Sequence, residues 1–128
     1  MALKKQTGIK GFFSRLFSKK DDQKNMLLAV EAVQNITNSL VILSQKTGTL
    51  NDTFASSKET VTKLIEEAKT FVPQNEIAAA KCEQNILGAI TACSSACDSV
   101  LAGGDAEEFK KQLSALSVLV TQRSHFKQ

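Results

Sequence analysis

The sequence has no tryptophan and no tyrosine, and only one proline and six glycines in 128 residues. So few turn-formers disfavour a turn-rich all-β fold. Cysteine is sparse and odd in number: Cys82, Cys93 and Cys97 suit a reducing compartment better than a disulfide framework. The single histidine, His125, lies near the end of the chain. No uninterrupted apolar run approaches the ~20 residues of a membrane-spanning helix; Leu40-Val41-Ile42-Leu43 is a patch inside a helix. Lys10 and Arg15 interrupt the apolar positions near the N-terminus, so no cleaved secretory signal is expected. Ala2 excludes N-myristoylation and no prenylation box ends the sequence.

The charge is distributed unevenly. The total is +3, yet residues 1–20 hold Lys4, Lys5, Lys10, Arg15, Lys19 and Lys20 with no acid, a head of +6. The other ten basic residues and all thirteen acidic ones leave residues 21–128 at −3. This split divides the chain into a basic segment, 1–21, and a folded body, 22–128.

In the body, apolar residues recur at helical spacing between helix-ending signals. A first helix is expected over about 22–46, with a stripe of Met26, Val30, Val33, Leu40 and Leu43, Ile36 and Thr37 lying between, closed by a left-handed Gly48. A second spans about 52–72, capped by Asn51 or Asp52, with Phe54, Val61, Leu64, Ile65, Ala68 and Phe71 or Val72 inward. Pro73 ends it. A third, about 76–101, takes its cap from Gln74-Asn75 and turns Ala79, Ile86, Ile90, Cys93, Cys97 and Val100 inward. Gly103-Gly104 stops it, and Asp105 with Glu107 and Glu108 opens a fourth, about 106–123, which buries Phe109, Leu113, Leu116 and Val120. Short links between four amphipathic helices predict an all-α, up-down-up-down four-helix bundle preceded by a short basic amphipathic N-terminal helix. Leu28, Val41, Ile42, Val118 and Leu119 exceed one inward stripe; they widen the core or form a patch for self-association.

Residues 8–20 carry the functional signal. Ile9, Phe12, Phe13, Leu16 and Phe17 follow the i, i+3, i+4, i+7, i+8 template, with Ser14 and Ser18 on the polar side. Asp21-Asp22-Gln23 reads as a hinge or helix start. Such a helix lies flat in a lipid interface, rings in the acyl boundary and lysines among anionic head groups. Each cation contributes about 1 kcal/mol near an anionic leaflet, and each large apolar side chain ~1.5–3 kcal/mol if fully buried. Ordering the helix offsets part of this, so the two terms together give reversible attachment. The same helix could pack on its own bundle or dock in a protein groove, as an assembly tag would. Nucleic acid is disfavoured, because no recognition fold surrounds the charge.

Catalysis has little to draw on. No Glu-x-x-His motif is present, Gly103-Gly104-Asp105 is a turn without a following Gly-Lys-Ser/Thr, and any triad would have to recruit His125. Cys93 and Cys97 sit one turn apart and could ligate a soft metal, but Cys82 is ~16 Å along the axis and two thiolates are an incomplete set. Neither an enzyme nor a cofactor is expected. The expected function is a cytoplasmic helical adaptor or assembly protein, peripheral at the inner face of a membrane. In it Ile9, Phe12, Phe13, Leu16 and Phe17 insert, and Lys4, Lys5, Lys10, Arg15, Lys19 and Lys20 attract an anionic surface. The alternatives are a soluble cargo or assembly subunit whose segment 8–20 docks on a shell or scaffold, with homo-oligomerisation possible, and a small thiol metal-binding bundle using Cys93 and Cys97.

Overall fold

The structure, a computed structural model, describes the backbone of residues 7–126 and the side chains of residues 26–126. Within these bounds the chain is all-helical, with no strand. Helix α1 (Thr7–Thr47) is followed by a 3₁₀ turn (Asp52–Phe54) that runs into α2 (Ala55–Ala68), then α3 (Ile77–Leu101) and α4 (Ala106–Ser124).

Local chemistry explains most of the boundaries. The Asn51 side chain accepts from the Thr53 N–H at 3.0 Å and Asp105 from the Glu107 N–H at 2.8 Å, both as expected of these caps. Three boundaries differ. Helix α3 has Glu76 at its N-cap with no side-chain hydrogen bond, so Gln74-Asn75 does not cap it. Gly48 is not left-handed; α1 ends by tightening, with Gly48 N–H donating to Ser44 O at 2.9 Å and Thr49 N–H to Lys46 O at 3.1 Å. Helix α2 stops at Ala68, short of Val72, because the chain must turn there to bring Phe71 into the core. Gly103, at φ +93°, takes the left-handed role after α3. A Cβ on Gly104 would lie 2.7 Å from the Ser99 carbonyl oxygen, so the turn requires glycine there too. The helix is unbroken through Asp21-Asp22-Gln23, where a hinge or a new start was expected.

Helix α1 packs on α2 and α3, and α4 also packs on α2 and α3. Among the described residues α2 and α3 are not in contact. The short links 48–51 and 102–105 fold α1 back on α2 and α3 back on α4. The longer link 69–76 carries the chain across from one hairpin to the other. Helices α1 and α3 run side by side in the same direction: Ala29 lies beside Ala80, and Lys46 bonds Asp98.

The core joins Ile36, Leu40 and Leu43 with Val61, Leu64, Ile86, Ile90, Cys93, Leu113, Leu116 and Val120. Phe54 meets Phe109 edge-on at one end, centroids 5.9 Å apart, and Phe71 is buried at the other. Met26, expected inward, is exposed, as is Val72. Of the surplus apolar residues, Leu28, Val41, Ile42 and Val118 are surface residues, while Leu119 packs partly against the core.

Candidate functional site

Lys4 and Lys5 lie outside the described residues. Ile9, Lys10, Phe12, Phe13, Arg15, Leu16, Phe17, Lys19 and Lys20 fall on the backbone of α1, with side chains outside the described set. Further along α1, no apolar run is uninterrupted, since Glu31, Gln34, Asn35 and Asn38 intervene. Within Met26–Thr47, however, an 18-residue stretch reaches a mean hydropathy of 1.5, long and apolar enough to cross a membrane. In the fold one side of this stretch, with Ala29, Ile36, Leu40 and Leu43, is committed to the core.

The described surface offers two seams of opposite character. Between α1 and α3 a shallow groove is lined by Leu28, Ala32 and Ala80 near one end and by Ser39, Ile42 and Thr91 further on. It is closed by Lys46, whose Nζ donates to Ser94 Oγ at 2.7 Å and pairs with Asp98 at 2.9 Å. Between α2 and α4 the cleft is hydroxyl-rich, with Ser56, Ser57, Thr60, Ser114 and Ser117 around Lys110.

A buried charge cluster went unseen in the sequence. Arg123 has no exposed surface; its Nε donates to Glu83 Oε2 at 2.9 Å, and its Nη2 lies 2.8 Å from the same oxygen as an ion pair and donates to the Val72 carbonyl at 2.8 Å. Phe71 and Phe126 lie 5.1 and 5.5 Å from the guanidinium carbon. Arg123 therefore ties α4 to α3 and to the chain just before Pro73. Its Nη1 is buried without a hydrogen-bond partner among the described residues, which offsets part of the gain by about 1–3 kcal/mol.

Cys82, Cys93 and Cys97 are all buried. Burial pushes the Cys93 thiol up to about 12, with Cys97 adding in the same direction. Cys82 and Cys97 are also raised by burial, against the opposing charges of Arg123 and Lys46 respectively. Protonated, enclosed thiols are poor ligands and poor nucleophiles. No group of three or more His, Cys, Asp or Glu side chains is placed to hold a metal ion among the described residues. His125 is exposed at the end of α4.

The raised thiol has a measurable consequence. An unfolded Cys93 ionises near the ordinary thiol value of 9.0, while the folded one keeps its proton to about 12, so the native state holds more protons between these limits. Stability is untouched below that window and falls as pH rises through it, by at most about 1.4 kcal/mol per pH unit for one such group. Urea titrations at increasing pH should show a shallower decline for Cys93→Ala than for wild type; equal slopes would refute the assignment.

Comparison with family models, with curated proteins and with solved structures found no match.

Proposed function

We propose that the protein is a non-enzymatic, peripheral membrane-associated adaptor or assembly protein. In this reading a basic amphipathic N-terminal helix anchors an up-down-up-down bundle to an anionic bilayer at the cytoplasmic face. The observation that carries it is the pattern of residues 8–20: five large apolar residues at unbroken helical spacing, within a head of +6 attached to a body of −3. Ile9, Phe12, Phe13, Leu16 and Phe17 enter the acyl boundary, and Lys4, Lys5, Lys10, Arg15, Lys19 and Lys20 hold the head groups. The continuous backbone of α1 supports this reading, because a helix running from Thr7 into the core transmits the orientation of the anchor to the bundle.

Co-sedimentation with vesicles tests it. Wild type should pellet with anionic vesicles at low salt, release as salt is raised, and bind neutral vesicles weakly. Phe12→Ser/Phe17→Ser, which leaves every cation in place, should lose most of the binding. Wild type remaining in the supernatant with anionic vesicles at low salt would end the proposal.

A further inference from the structure

Two strongly exposed aliphatic side chains on α1, Leu28 and Ile42, line the α1/α3 seam at 53% and 62% exposure, and Ile77 at the start of α3, 76% exposed, lies beside Ala80 and Gln84, which also line it. Clefts of about 190 and 240 Å³ open along it. The small residues Ala32, Ser39 and Ala80 between them let another helix come close. The hydroxyl-lined α2/α4 seam has no such apolar rim. From Leu28 to Ile42 the seam runs ~21 Å at ~1.5 Å per residue, and residues 8–20 form a helix of ~20 Å.

We infer that the α1/α3 seam receives the basic amphipathic segment 8–20 of a second copy of this chain. Phase argues for a second copy over the same one. With ~100° per residue, positions 9, 12, 13, 16 and 17 lie about 180° around the axis from Ala29, Ile36, Leu40 and Leu43. Bundle twist changes this by ~20° per heptad, or ~60° across the roughly three heptads between the two stripes, which leaves them more than a right angle apart. Positions 9, 12, 13, 16 and 17 therefore fall on the side of the α1 axis opposite the core-packed stripe, and the helix has no break at which to fold back. Charge favours the same pairing: a +6 head meets a −3 body, and Glu76 lines one end of the seam, while Asp98 at the other is paired with Lys46. The contact joins two different surfaces, so head and seam can be impaired separately. This goes beyond the membrane reading and does not depend on lipid.

Complementation by sedimentation tests the contact on full-length chains. Wild type should self-associate at low salt and dissociate as salt rises. Phe12→Ser/Phe17→Ser spoils the head, and Ile42→Lys/Ile77→Lys spoils the seam at exposed positions; each should sediment as a monomer with wild-type circular dichroism. An equimolar mixture of the two variants should re-associate, because it restores one intact head against one intact seam. A monomeric wild type, a head variant that still self-associates, or a mixture that stays monomeric would each overturn the inference. Vesicle binding by a wild type that never self-associates would leave the membrane reading standing, and self-association without vesicle binding would do the reverse.

Discussion

Glu83→Ala should cost about 3–5 kcal/mol, the penalty of leaving one member of a buried ion pair without its partner. In wild type both Arg123 Nε and Nη2 end on Glu83 Oε2, and Arg123 has no exposed surface. Removing the carboxylate strands a guanidinium that already has Nη1 unpartnered among the described residues. The two phenylalanine rings beside it and the Val72 carbonyl remain, but they replace only part of what is lost. A domain of this size is stable by only about 5–15 kcal/mol, so the variant should lose between about a fifth and all of that margin. The converse change separates charge from packing. Glu83→Met/Arg123→Met removes both charges and keeps apolar volume, so it should recover most of the loss, and it would match or exceed wild type if desolvation outweighs pairing. Urea unfolding followed by circular dichroism measures all three proteins. A Glu83→Ala midpoint near wild type would show that the pair is not stabilising the end of the bundle where α3 and α4 meet.

This cluster also shows where the sequence was readable and where it was not. Glu83 falls in register with Ala79, Ile86, Ile90, Cys93 and Cys97, and Arg123 with Phe109, Leu113, Leu116 and Val120, each stripe alternating steps of four and three. Read for apolar residues alone, one stripe has a gap and the other stops early. The signal was two opposite charges in two core stripes, near the start of one helix and the end of the next, where an antiparallel pair brings them together. Helix positions and most core residues were legible because burial follows a 3.6-residue period. Met26 fits the period but lies where α1 begins to leave its neighbours, and exposure there depends on the length of the other helices. The crossing of link 69–76 was not legible, because local pattern does not say whether a link of that length joins adjacent or opposite helices. The basic segment was legible in full as a pattern. Its occupant was not, because lipid and a protein seam select the same alternation of rings and lysines.

Phe109→Ala should lower stability by about 3–5 kcal/mol, the range for an aromatic truncated in a core. Phe109 has no exposed surface and its ring meets Phe54 edge-on, at 5.9 Å and 68°. Phe54 closes the 3₁₀ turn that begins α2, and Phe109 sits in the first turns of α4. The pair therefore seals the end of the molecule at which two helices start. Where the loss falls within that range depends on how far the surroundings collapse onto the cavity. At about 4 °C per kcal/mol for a domain of this size, Tm should fall by roughly 12–20 °C. Phe109→Leu retains most of the volume and should fall by less than half as much. Both shifts are readable by thermal circular dichroism. If alanine and leucine behaved alike, the loss would belong to the ring–ring contact and not to the cavity; if neither moved Tm, this end of the core would not be packed as described.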